Sequence, residues 1–271
     1  MMKRAFSTLT CLTLNLAEVA ACAKRNGMTG VEIRLDNAQK ICGMGIEDAD
    51  AILETLDGLT ITDLATGVSA ADYREDQVNL GRQCVDLAEA VGCRAIRVFV
   101  GGSTPRHSQP PQQNEDGIVR FLRELCEYAA SKKVEVWAET HSSYSSGKAM
   151  AELVSRTGED NLFVIWDVLH TIEYRETPAQ SAEYLGDRIA HVHLKDARST
   201  GDPDLTQYRH TALGEGEFPL AEVLRCLKAL NYDGFLSLEW ELPWRPELKD
   251  CYRDTDETLA AFNRWMDSAE G

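Results

Sequence analysis

The feature that most restricts this chain is an alternation of strand and helix that repeats eight times from end to end. The stretches that read as strands are "RAFSTLT", "GVEIRL", "LTITDLA", "RAIRVFVGG", "VEVWAET", "NLFVIWD", "RIAHVHLK" and "GFLSLEW". Each is followed by a segment with helical periodicity. After the first strand, Asn15 is a natural N-cap, Leu16, Val19, Ala20 and Ala23 share one face, and Gly27 closes the helix. "IEDADAILETL" reads as a short helix, and longer ones are expected from about Tyr73 to Val91 and from about Glu115 to Ser131. Further helices are expected over residues 147–157, from Thr177-Pro178 onward, over "PLAEVLRCLKAL" and over residues 254–268. Strict alternation implies a parallel sheet with crossover helices. Eight units imply closure into a (β/α)8 barrel, an α/β fold. The alternative is a doubly wound open sheet, which more often carries a glycine-rich phosphate turn after its first strand. "STLTCLTLN" is nothing like one.

The length of 271 residues suits a single such barrel. No linker, low-complexity segment or charge block divides residues 1–271, so a single domain is expected. The net charge of −16, with no clustered basic face, argues against nucleic-acid binding. No apolar run approaches the length of a membrane span. "MMKR" and the residues after it faintly resemble a signal peptide, but Ser7, Thr8, Thr10, Thr13, Asn15 and Glu18 interrupt the apolar run. The eight cysteines form no C-x-x-C pair and read as small hydrophobes in a reducing compartment, so a cytoplasmic protein is expected. A homo-oligomer is compatible with the sequence.

In barrels of this kind, chemistry lies at the carboxyl ends of the strands. The period of two predicts the inward faces. Trp137, Glu139 and His141 share a face in the fifth strand, His191, His193 and Lys195 in the seventh, and Ser237, Glu239 and Glu241 in the eighth. The sixth strand ends in Asp167, with His170 three residues on. Four consecutive strands therefore end in Glu139, Asp167, His193 and Glu239. Singly, Asp167 could cap a turn, His193 could be a core histidine, and the two glutamates could face arginines. Together, three acids and an imidazole on one axis call for a cation. Such ligands suit one divalent ion: Mn²⁺, Mg²⁺, Co²⁺ or Zn²⁺.

At these residues the chain resembles the xylose isomerase-like TIM-barrel superfamily, whose fold is also called apurinic endonuclease 2-like. The resemblance is greatest to its sugar phosphate isomerase/epimerase branch, with ketose 3-epimerases, hydroxypyruvate isomerases and inosose dehydratases. It runs through "AEVAACAKRNGMTGVEIRL", "VWAETH", "WDVLH", "HVHLKDA" and "LGEGEFPLAEVLRCLKALNYDGFLSLEWE". The resemblance implies a TIM barrel with metal ligands Glu139, Asp167, His193 and Glu239. It implies a substrate-contacting role for His170 and matches Glu32 of "VEIR" to a family glutamate of variable role. The ketose 3-epimerases carry an arginine shortly after the metal-binding histidine; here Lys195 and Arg198 stand in different places.

The chemistry that suits such a site is proton transfer beside a carbonyl of a carbohydrate, through a metal-stabilised enediolate. Glu139 and Glu239, from different strands, are the expected catalytic acid and base. His170, Lys195, His141, Glu32 and Arg209 are the expected substrate contacts. Proton return to the opposite face epimerises, return to the neighbouring carbon isomerises, and loss of a β-hydroxyl makes a dehydratase. An apurinic endonuclease is a weaker alternative, because that chemistry uses several zinc ions and further ligands, and this chain has six histidines. A non-catalytic sugar-binding barrel is the other. The long loop Asp196 to Phe218 is expected to cover the site, and "GGSTPRHSQPPQQ" is a second candidate for substrate contacts or subunit packing, with surface decoration as the alternative.

Overall fold

The computed structural model describes residues 2–36, 39–102, 114–201 and 208–270. Eight strands form the central sheet: β1 Lys3–Ser7, β2 Gly30–Asp36, β3 Thr60–Ala65, β4 Ala95–Phe99, β5 Glu135–Glu139, β6 Leu162–Asp167, β7 Ile189–Leu194 and β8 Phe235–Leu238. Each pairs in parallel with its sequence neighbours, and β8 pairs with β1 to close the ring. Closure excludes the open doubly wound sheet.

The helices are α1 Leu16–Arg25, α2 Ala49–Thr55, α3 Glu75–Ala90, α4 Glu115–Ser131, α5 Gly147–Thr157, α6 Val168–Glu173, α7 Pro178–Leu185, α8 Leu220–Ala229 and α9 Thr255–Glu270. Seven of them cross from one strand to the next, and α9 follows the last strand. The short α6 is an addition at the end of β6, and it carries His170. Local chemistry sets the helix ends. Asn15 Oδ1 accepts from the Glu18 N–H at 3.0 Å, and Glu18 Oε2 accepts from the Asn15 N–H at 2.8 Å, a reciprocal cap for α1. Thr177 caps α7 ahead of Pro178, and Gly158 ends α5 with φ +74°.

Apolar side chains divide into two layers. The larger lies between strands and helices and includes Phe6, Phe121, Trp166 and Phe262. The smaller fills the lower barrel with Ala95, Trp137, Ile165 and Ala190. Trp137 stacks on His191 with centroids 5.7 Å apart. Above that plug the interior turns polar. The cysteines in the described residues are all free, and burial pushes the thiols of Cys11 and Cys84 up to about 12. Among the described residues, no helix is long and apolar enough to cross a membrane.

The "LGEGE" motif has a structural cause. Asp196, just past β7, accepts backbone N–H bonds from Gly214 at 2.8 Å, Gly216 at 2.9 Å and Phe218 at 3.2 Å. The motif wraps this carboxylate and ties the loop to the barrel rim. A Cβ on Gly216 would lie 1.8 Å from Asp196 Oδ1 and 2.6 Å from the Ala197 nitrogen. Gly216→Ala should therefore cost about 2 kcal/mol, lowering the melting temperature by about 4–8 °C in a thermal unfolding scan. An unchanged melting temperature would show that the loop carries no such constraint. The described parts of this loop form an antiparallel hairpin, Asp196–Ser199 with Tyr208–Thr211. Its tip, residues 202–207, lies outside the described residues, as does most of "GGSTPRHSQPPQQ".

Candidate metal centre

Strand parity and register bring the four expected ligands together. Glu139 ends β5, Asp167 ends β6, His193 is one short of the end of β7, and Glu239 follows β8 directly. A register shift between β6 and β7 sets Asp167 level with His193. One ligand atom from each of the four lies within 4.8 Å of all the others. Around His193 Nδ1, Glu239 Oε2 stands at 3.2 Å, Glu139 Oε1 at 3.5 Å and Asp167 Oδ2 at 3.9 Å. All four side chains are buried.

Acids packed this closely and this deeply need positive charge among them. Lys195 Nζ supplies some, at 2.6 Å from Asp167 Oδ2, 2.5 Å from Glu239 Oε2 and 2.8 Å from Glu241 Oε1. Arg97 Nη1 lies 3.2 Å from Glu139 Oε2. Burial opposes ionisation of Glu139, but Arg97 and His193 outweigh it and hold the carboxyl down at about 2. Burial likewise opposes ionisation of Glu239, and Lys195 and His193 hold it well below the usual range. For Asp167 burial wins, and Lys195 only partly offsets the rise. Burial works against protonation of His193, yet Glu32 and Glu239 raise it well above the ordinary imidazole value. Both catalytic candidates are therefore anions at neutral pH.

The residues present fit a divalent cation. Glu139 Oε2, Glu239 Oε2 and His193 Nδ1 are buried and make no well-aligned hydrogen bond among the described residues, although Arg97 and Lys195 stand at ion-pair distance from the two carboxylates. Converging oxygen and imidazole acceptors of this kind match a hard or borderline divalent ion. His193 is also oriented from behind. Its Nε2–H donates to Glu32 Oε2 at 2.7 Å, leaving Nδ1 to face the acids. Glu32 also meets His191 Nε2 at 3.3 Å. A second convergence of ligand-type atoms thus joins Glu32, His191 and His193 beneath the first.

The other expected contacts divide. His170 is buried, its Nε2 3.7 Å from Asp167 Oδ2 and its Nδ1 held 3.2 Å from Glu173 Oε2. Burial opposes its protonation, but Asp167 and Glu173 raise it. His141 packs edge-on against His170 with centroids 4.6 Å apart. Burial, then His170, depress it to about 4, so it is a neutral imidazole at neutral pH. Lys195 is embedded among the acids. Glu32 lies below the quartet and bonds its histidines. Arg209 is exposed on the hairpin and does not line the cavity above the quartet, whereas its neighbour His210 is buried. That cavity has a volume of about 330 Å³, and its walls include Arg34, Arg97, Glu139, His141, Glu239 and Glu241.

Sequence reasoning missed Glu173, Trp244 and Arg245. Glu173 was within reach, because it lies three residues after His170 on one helical turn. Trp244 and Arg245 follow β8 in an irregular segment with no periodicity to orient them.

Comparisons with known proteins bear on the family and the fold. A family model described as a xylose isomerase-like TIM barrel matches residues 20–264. A fructoselysine 3-epimerase of Shigella flexneri is 22% identical over 171 residues, covering 61% of this chain and 59% of that protein. The match thus spans about three fifths of that relative's length. A 3-dehydroshikimate dehydratase of Bacillus anthracis is 26% identical over 251 residues, covering 84% of this chain and 86% of the relative. Among solved structures, the IOLI protein with a binding zinc atom superposes with a TM-score of 0.81 at 17% identity, over 99% of this chain and 98% of that one. With a closed barrel, polar strand ends and a family match over most of its length, the chain belongs to the xylose isomerase-like TIM barrel family.

Proposed function

We propose that this protein is a divalent-metal-dependent isomerase or epimerase acting on a ketose or related polyol. The observation that carries the reading is the convergence of Glu139, Asp167, His193 and Glu239, all buried, with one ligand atom of each within 4.8 Å of the others. A divalent cation held by these four residues would act as a Lewis acid toward a carbonyl oxygen and the negative charge developing on it.

The remaining work belongs to side chains of this chain. Glu139 and Glu239 are both ionised and reach the cavity from different strands. One removes the proton beside the carbonyl as a carboxylate, and the other takes up a proton from solvent and delivers it to the substrate, the first then losing its proton to solvent. Each such transfer contributes about 10²–10⁴-fold. Arg97 beside Glu139 and Lys195 beside Glu239 keep the basic forms charged. His170, fixed through Nδ1 by Glu173, presents Nε2 for a hydrogen bond to a substrate hydroxyl. His141 and Phe99 give the cavity a wall against which a sugar ring packs, their rings 4.8 Å apart. Glu32 holds His193 in place and lies too deep to touch substrate.

A dehydratase is the second reading, favoured by the 3-dehydroshikimate dehydratase relative, which matches nearly full length. Both readings begin with the same proton abstraction, and they part when a β-hydroxyl leaves. The deciding experiment is a panel of ketoses, inosose and 3-dehydroshikimate in D₂O with Mn²⁺, followed by NMR. Deuterium beside the carbonyl with retained mass of water supports the isomerase or epimerase. A product that has lost one water, unsaturated from a ketose or inosose and aromatic from 3-dehydroshikimate, supports the dehydratase. No exchange and no elimination across the panel would sink both.

A further inference from the structure

Three arginines line the cavity: Arg34 from β2, Arg97 from β4 and Arg245 beyond β8. Two are already matched. Arg97 faces Glu139 and donates through Nη2 to the Thr66 carbonyl at 3.0 Å. Arg245 Nε donates to Glu241 Oε2 at 3.0 Å. Arg34 differs. Among the described residues its guanidinium has no carboxylate at ion-pair distance and its side chain donates no hydrogen bond. It lies instead over the Trp244 ring, 5.0 Å from the centroid. Stacking occupies the face of a guanidinium and leaves its N–H edge, which matches carboxylate and phosphate oxygens bidentately. Arg34 is half-buried, so this charge is partly removed from water. Burial, then repulsion from Arg97, lowers its pKa, while the more distant Glu239, Glu32 and Glu139 act in the opposite direction.

The charge balance agrees. Arg34, Arg97 and Arg245 face Glu139, Glu239 and Glu241 across the cavity, and Lys195 is matched by Asp167. Glu32 beneath the quartet adds one further carboxylate, so a divalent cation on the quartet leaves this set with one positive charge in excess. A neutral sugar does not correct that excess, whereas an anionic one does.

We infer that the substrate carries an anionic group, a carboxylate or a phosphate monoester, bound by the edge of Arg34 while its carbonyl end lies at Glu139 and Glu239. This rests on the function proposed above and names its substrate class. A volume of about 330 Å³ suits a monosaccharide-sized molecule bearing one such group.

The test uses three matched ligands, D-fructose, D-fructuronate and D-fructose 6-phosphate, titrated calorimetrically into the Mn²⁺-loaded protein. At least one anionic ketose should bind about 10-fold or more tighter than D-fructose. The carboxylate or the phosphate is identified by which of the two gains. Arg34→Gln should bring the three within about 2-fold of one another, with Arg34→Lys intermediate. Circular dichroism checks that both variants fold. Equal binding of all three ligands, or binding of none, overturns the inference. Proton exchange in D₂O, read on the same mixtures, separates it from the reaction. Exchange with D-fructose alone keeps the reaction and overturns the anion subsite. Arg34-dependent anion binding without exchange keeps the subsite and overturns the reaction.

Discussion

Glu239→Gln should lower turnover by about 10³-fold or more while the barrel stays folded. Two losses combine. The amide cannot accept the proton that a carboxylate takes, which alone is worth about 10²–10⁴-fold. It also removes one anionic ligand from a set of four. The change is nearly isosteric, so packing is kept. Lys195 loses one of its three acidic neighbours but retains Asp167 at 2.6 Å and Glu241 at 2.8 Å. Glu239→Asp separates the roles: it keeps the charge but withdraws it by about one methylene, and misplacement of about 1 Å costs about 10²-fold. Rates on whichever ketose exchanges, read beside circular dichroism, decide the matter. A rate for Glu239→Gln equal to that of the parent protein would take Glu239 out of the chemistry.

The second large effect is thermal. Mn²⁺ at about 100 times its dissociation constant should stabilise the fold by about 2.7 kcal/mol, because the unfolded chain has no assembled site. For a chain of this size that is a rise in melting temperature of about 5–10 °C, reversed by a chelator. Lys195 does not make the cation redundant, since its ion pairs go to Asp167, Glu239 and Glu241 and reach neither Glu139 nor His193. Asp167→Asn should remove most of the shift. The substitution spares the structural duty of Asp167, whose Oδ1 accepts from the Leu169 N–H at 2.9 Å and caps α6. Asparagine serves equally well there. If Mn²⁺, Mg²⁺, Co²⁺ and Zn²⁺ all leave the melting temperature of the parent protein where it was, the four residues form an internally neutralised cluster and no metal site.

Much of this arrangement was legible along the chain, because it depends on short periods. Strand alternation of two turned Glu139, His193 and Glu239 toward one axis, and the alternation of strand with helix required a parallel sheet. Helix ends were legible for the same local reason: Asn15, Thr177 and Gly27 act on residues within one turn. Other features had no local sign. Glu32 and His193 meet although 161 residues separate them. Nothing near either residue says that Nε2 is taken and Nδ1 is left for the acids. That Arg209 stays outside the cavity while Arg34 enters it also depends on strand register and on an aperiodic segment bringing Trp244 alongside.

The amino-acid order by itself determined the eight-fold alternation, the inward parity of each strand and the chemical type of each strand end. Barrel closure decided the rest: which inward side chains share a level, which arginine is left without an acid, and which imidazole nitrogen faces the quartet. The physical reason is that parity is a property of one strand, whereas a meeting between strands depends on the stagger of the whole ring, and that stagger exists only once β1 has paired with both β2 and β8.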